Sequence, residues 1–183
     1  MALGDSLTAG LGLSPEQAWP ALVQARLDAA GHNLEVVNAG VSGDTSAGGL
    51  RRLDWALDGD IRILIVGLGA NDGLRGLSVE QMHDNLGRII SSAKARGITV
   101  LLCGMEAPPN FGSQYTRAFR DAFRDLADQH DVVFLPFLLQ GVAGDAALNQ
   151  ADGIHPNVTG ARRVADLVWQ SLEPLLPHAL ASS

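Results

Sequence analysis

Ser6, Asp152 and His155 are the side chains of this sequence whose types and order could do covalent chemistry. A seryl hydroxyl is a weak nucleophile until a base takes its proton, and an imidazole suits that task near neutral pH. Asp152 stands three residues before His155 in "ADGIHPN". That spacing lets one turn bring carboxylate and ring together, fixing the tautomer and stabilising the imidazolium. Acyl transfer also needs hydrogen-bond donors where the oxyanion develops. Three glycine-rich stretches offer them: the Ser6 amide in "GDSLTAG", the Gly43 amide in "NAGVSGDTSAGG" and the Asn71 side-chain amide in "GLGANDGLRG". The G-x-S-x-G nucleophile elbow is not the layout, because Gly4-Asp5-Ser6-Leu7-Thr8 ends on threonine.

Residues this far apart meet only if the fold carries their loops to one place. Four short apolar runs, "LEVVNA" (34–39), "IRILIVGLG" (61–69), "ITVLLCGM" (98–105) and "VVFLPF" (132–137), read as strands covered on both faces, with "MAL" as a fifth. Between them lie helical patterns. "SPEQAWPALVQARLDAAG" opens with Ser14 as N-cap and Pro15 in the first turn, and carries Pro20 as a cost inside it. "SVEQMHDNLGRIISSAKARG" runs from Ser78 to Lys94 and Arg96, charges that suit the helix dipole. "SQYTRAFRDAFRDLADQH", "NVTGARRVADLVWQSLEPLL" and a weaker "SAGGLRRLDWAL" complete the set. The alternation predicts an α/β domain, a doubly wound parallel sheet with helices on both faces. In such sheets ligands bind beyond the carboxyl ends of the strands. The loops after residues 3, 38, 67, 105 and 137 should therefore hold the site, and three of them carry the glycine-rich stretches above.

The 183 residues suit a single domain over 1–183, long enough for a substantial core. The abrupt apolar start leads to the expectation that residues are missing upstream of the first strand. A net charge of −7 argues against a nucleic-acid or anionic-membrane partner, which would want a basic face. No window approaches the roughly 18 apolar residues of a membrane span, and no signal peptide is visible. The lone Cys103 excludes an intramolecular disulfide and reads as a small buried hydrophobe. His32, His83, His130 and His178 lack metal-site spacing, so a metal site has little support. Oligomeric state is not readable.

Four blocks in order, "GDSLTAG", "SGDTS" (42–46), "GANDGLR" (69–75) and "DGIHP" (152–156), resemble the GDSL-type, or SGNH, serine hydrolases. The likeness spans nearly the whole chain, with no departure at the catalytic positions. "AWPALV", "VVNA" and "NDGLRG" are most similar to the bacterial thioesterase I, lysophospholipase and arylesterase branch. What the resemblance implies agrees with the residue-level reading: Ser6 as nucleophile, His155 as base, Asp152 as its orienter, and Ser6, Gly43 and Asn71 as oxyanion hole. It further implies a three-layer α/β/α sandwich with a five-stranded parallel sheet in the order 2-1-3-4-5, no cofactor, and a periplasmic or secreted setting. The expected activity is hydrolysis of small-molecule carboxylic esters, with short to medium acyl or aryl groups, thioesters or lysophospholipids as substrates. A carbohydrate acetylesterase of the same family is the alternative; a non-catalytic phosphate- or nucleotide-binding flavodoxin-like domain is the alternative of another class.

Loops 73–77 and 106–116 are expected to line the acyl side of an open groove, with Leu74, Phe111 and Tyr115 as apolar contacts. Asp5 and Asp44 are read as holding loop shape through local backbone amides. Trp19, Trp55 and Trp169 are read as packing residues. Taken singly, each site residue suits an ordinary turn: Asn71-Asp72-Gly73 is a β-turn signal and Gly43 suits a positive φ. Their joint placement on the loops where this fold binds ligands favours chemistry.

Overall fold

The structure is a computed structural model that describes residues 1–177. Parallel strands β1 (Ala2–Gly4), β2 (Asn38–Gly40), β3 (Ile63–Gly67), β4 (Thr99–Cys103) and β5 (Val133–Leu135) form one sheet in the order β2-β1-β3-β4-β5. The helices are α1 (Ser6–Ala9), α2 (Trp19–Ala29), α3 (Ser46–Arg51), α4 (Leu53–Ala56), α5 (Ala70–Leu74), α6 (Val79–Ala95), α7 (Ser113–His130) and α8 (Val158–Leu172). Helices α2 and α8 pack on each other, while α3, α6 and α7 form a second group. All five residues of β3 are buried, as a central strand with both faces covered requires. The doubly wound sheet and the expected strand order are both present.

Several elements are shorter or differently divided than their sequence pattern. Of the 34–39 run only Asn38 and Ala39 are strand, which continues to Gly40, because Ala2 is the first residue of β1 to pair and it lies opposite Asn38. Upstream, Gln24 on α2 takes the backbone instead, accepting from Val36 N at 2.6 Å and donating to Leu34 O at 3.0 Å. The first helical pattern is two elements: a 3-10 turn at Pro15–Gln17, then α2. Ala18 between them is extended (ψ 143°), which places Pro20 in the first turn of α2, where no intrahelical N–H is needed. The expected cost at Pro20 therefore disappears. The weaker pattern over 46–57 breaks at Arg52 into α3 and α4. Ser78 caps α6 by accepting from Gln81 N at 3.1 Å, as its sequence signal implied.

The core is aliphatic around Leu64, Leu86, Ile89, Ile90, Leu101 and Leu102, with Phe119 and Phe123 from α7. Cys103 is buried and its thiol is pushed up to about 12 by that burial. Trp19 is buried and Trp169 half-buried, but Trp55 is 70% exposed and is not a packing residue. Its helix, α4, is a single turn that turns this ring outward.

Candidate active site

The site is built first by the way β1 ends. A Cβ on Gly4 would lie 2.0 Å from Thr8 Oγ1 and 2.9 Å from Gly67 O, so only glycine lets the chain turn at once into α1. Asp5 caps that short helix, its Oδ1 accepting from Leu7 N at 2.9 Å. Ser6 is thereby the first helical residue after the sheet, at the carboxyl ends of the strands.

From the other end of the sequence comes His155. Its Nδ1 lies 2.6 Å from Asp152 Oδ2, and its Nε2 lies 2.9 Å from Ser6 Oγ. A carboxylate only accepts, so the ring proton sits on Nδ1 and donates to Asp152. The Nε2 lone pair then receives the Ser6 hydroxyl proton. Asp152 Oδ1 also accepts from Ile154 N at 2.9 Å and His155 N at 3.0 Å, so one side chain shapes the turn and orients the ring. The His155 ring bond, then the His155 and Ile154 amides, hold the Asp152 carboxyl down at about 2, well below the ordinary value. Gln150 fastens this turn to the loop after α1, donating to Leu11 O at 2.7 Å and Pro156 O at 3.0 Å. Asn157 caps α8 by accepting from Thr159 N and Gly160 N, and donates to Ala147 O and Asn149 O.

The three expected oxyanion donors lie on three joined loops. Among the described residues, neither the Ser6 amide nor the Gly43 amide has a hydrogen-bond partner. Asn71 Nδ2 is engaged, donating to Asp44 O at 2.9 Å and, more weakly, to Asp5 Oδ2 at 3.3 Å. One side chain thus touches the neighbour of Ser6 and the neighbour of Gly43. Its longer bond is the one a nearby oxyanion could replace. Burial, opposed by the Leu7 and Asn71 hydrogen bonds, raises the Asp5 carboxyl to about 6. Asp5 does hold a backbone amide, but Asp44 differs from its expected role: its carboxylate pairs with Arg52, Nε to Oδ2, at 2.6 Å.

Three further residues hold the loops together in ways the sequence did not signal. Buried Asp72 accepts from Ser46 N at 2.8 Å and Ser46 Oγ at 2.6 Å, locking α5 to the start of α3. Arg75 donates to Gly43 O at 3.0 Å from the exposed side. Arg52 reads in the sequence as an ordinary basic position in a weak helix. The expected turn at Asn71-Asp72-Gly73 is the short helix α5.

Leu74, Phe111 and Tyr115 are placed differently from the relay. Tyr115 packs on Phe111, ring centroids 5.4 Å apart, and its hydroxyl donates to Leu77 O at 2.8 Å. Phe111 lies over Gly76. Phe111 and Tyr115 thus hold loop 73–77 against the start of α7, while Leu74 is exposed. None of them lines the small cavity beside Ser6 and His155, which is walled by Leu7, Leu11, Leu13, Trp19, Leu139 and Val164 among others. At about 10 Å³ it has room for one water. A cavity of about 440 Å³ opens at the amino ends of β1, β2 and β3, lined by Met1, Leu34, Val36, Ile61 and Leu172 among others; it contains none of the residues singled out for chemistry. Among the described residues, no group of three His, Cys, Asp or Glu side chains is placed to hold a metal ion, and no helix is long and apolar enough to cross a membrane. His178 lies outside the described residues.

The chain is similar to known proteins over nearly its whole length. Residues 2–163 match the GDSL-like Lipase/Acylhydrolase family. The chain is 44% identical over 177 residues to Esterase TesA of Pseudomonas aeruginosa, covering 96% of this chain and 88% of that protein. It is 40% identical over 179 residues to Thioesterase 1/protease 1/lysophospholipase L1 of Escherichia coli, covering 97% and 85%. The crystal structure of the psychrotrophic esterase EstA from Pseudoalteromonas sp., inhibited by monoethylphosphonate, superposes with a TM-score of 0.91 at 34% identity, covering 96% of this chain and 97% of that one.

Proposed function

The chain belongs to the GDSL-like lipase/acylhydrolase family, and from that premise we propose that it is a serine hydrolase of carboxylic esters acting through an acyl-enzyme. The observation that carries this reading is the hydrogen-bonded relay from Ser6 through His155 to Asp152, 2.9 Å and 2.6 Å long and closed across 149 residues of sequence.

Ser6 Oγ attacks the ester carbonyl while His155 Nε2 takes its proton. Asp152 keeps the ring proton on Nδ1 and stabilises the imidazolium that forms. The tetrahedral oxyanion is received by the Ser6 and Gly43 amides and by Asn71 Nδ2, which gives up its long bond to Asp5. The imidazolium then protonates the leaving alcohol, and the acyl group stays on Ser6. Water attacks next, with His155 again as base, and the acid departs. Side chains and backbone amides supply every step, so the mechanism calls on no cofactor. Inhibition of the Pseudoalteromonas relative by a phosphonate is the chemistry a nucleophilic serine produces, which supports the assignment.

The esterase and arylesterase names of the relatives favour short to medium acyl chains or aryl esters as substrates. The thioesterase and lysophospholipase names of the Escherichia coli relative bring thioesters and lysophospholipids into the same substrate class. Ser6→Ala should abolish hydrolysis of p-nitrophenyl butyrate with an unchanged circular dichroism spectrum; retained turnover would refute the mechanism. A panel of p-nitrophenyl ester acyl lengths beside acetylated xylan should show faster turnover of the short to medium chains than of the polysaccharide.

A further inference from the structure

Arg52 sits behind the site and has no part in the mechanism above. Building on the esterase reading, we propose that Arg52 is a positioning residue that sets the separation between the nucleophile strand and the Gly43 amide by gripping both at once. Its Nε donates to Asp44 Oδ2 at 2.6 Å, and its Nη2 donates to Gly4 O at 2.9 Å. Gly4 ends β1 two residues before Ser6, and Asp44 directly follows Gly43. The ion pair is mostly shielded, with side-chain exposures of 18% and 15%.

The guanidinium is a rigid plane, so its two donors fix the spacing of their two acceptors. A lysine has one nitrogen on a flexible stem and cannot. Around this grip the Gly43 segment is tied on every side except its own N–H: Arg75 reaches Gly43 O at 3.0 Å, Asn71 reaches Asp44 O at 2.9 Å, and Asp44 N donates to Val41 O at 3.1 Å. The free amide is held in place by its neighbours. Two details favour positioning over plain stability. Arg52 Nη1 is buried and has no hydrogen-bond partner among the described residues, a cost that adds nothing to stability. Gly48 in α3 also leaves space for the Asp44 carboxylate, since a Cβ there would lie 2.2 Å from Asp44 Oδ1.

Arg52→Lys and Gly48→Ala test this, because both keep every charge. The second leaves the ion pair's chemistry intact, improves helix propensity and displaces only the Asp44 carboxylate, so it carries the test alone if the first does not fold. For each, kcat and KM with p-nitrophenyl butyrate are measured beside the affinity for an alkyl trifluoromethyl ketone, whose adduct with serine carries an oxyanion. We expect KM within about twofold of wild type, with kcat and ketone affinity falling together by about 10- to 100-fold, the loss a small misplacement of one oxyanion donor produces. A general loosening would not make those two losses track each other. Wild-type kcat and ketone affinity in the folded variants, or a fall in kcat with ketone affinity unchanged, would overturn the role of Arg52 and leave the esterase reading standing. Wild-type protein that neither turns over the ester nor binds the ketone would overturn both.

Discussion

Replacing Asp5 by asparagine isolates the most unusual group beside the nucleophile. Its carboxyl is fully buried, accepts from Leu7 N at 2.9 Å and Asn71 Nδ2 at 3.3 Å, and is raised by burial from 3.8 to about 6. Between those two values the folded chain holds the proton more tightly than the unfolded chain. The contribution of Asp5 to stability therefore falls as pH rises: no penalty below about pH 3.8, the full penalty above about pH 6. That gap corresponds to roughly 3 kcal/mol at neutral pH. Asparagine does not titrate. Its oxygen can still accept from Leu7 N, while its amide faces that of Asn71, an offset of about 1–3 kcal/mol that does not vary with pH. Urea unfolding of both proteins from pH 4 to pH 8 removes every shared titration by subtraction. The stability of wild type minus that of Asp5→Asn should drop by roughly 2.5 kcal/mol over this range, the rest of the penalty being present already at pH 4. Parallel curves would refute the reasoning.

Asn71→Ala should lower kcat by roughly 10²–10³ with a smaller change in KM, because it deletes an oxyanion donor; a wild-type kcat would remove Asn71 from the hole. Asp152→Asn keeps an oxygen for the Ile154 and His155 amides but loses the charge, and should lower kcat by on the order of 10⁴ in steady-state assays without loss of fold. Because Asp152 is held at about 2, wild type should keep this carboxylate charged throughout an acid titration to pH 4, visible by carboxyl NMR. Gly40→Ala would put a Cβ 2.2 Å from Ala9 N and 2.7 Å from Ala9 Cα, backbone atoms that cannot swing aside. About 1–3 kcal/mol of destabilisation and a displaced α1 should follow, read as a lower melting temperature together with lower kcat.

Much of this was legible in the residues, and the exceptions share a cause. Strands β3 and β4 announce themselves as unbroken apolar runs because both their faces are covered. Helix α6 carries its own start and stop signals in Ser78 and Lys94. The relay residues were readable because each lies in a short polar block on a loop where this kind of sheet presents ligands. Local pattern could not show what depends on distant partners. The 34–37 segment has strand composition but no strand opposite it, so Gln24 satisfies its backbone. Trp55 has the look of a core residue, yet its one-turn helix faces it outward. Arg52, Asp72 and Arg75 act through contacts 26 to 48 residues away along the chain, and such contacts leave no periodic trace. Leu74, Phe111 and Tyr115 read as acyl contacts by composition, but none of them lines the cavity beside Ser6, and Phe111 and Tyr115 pack on each other and on loop 73–77.

The central claim, that Ser6 is made nucleophilic by His155, is tested most directly by treating the protein with a fluorophosphonate and locating the adduct by peptide mass spectrometry. Labelling on Ser6 alone, abolished in His155→Ala, is the expected result. Absence of any adduct in the folded wild-type protein, or an adduct on another serine, would contradict it.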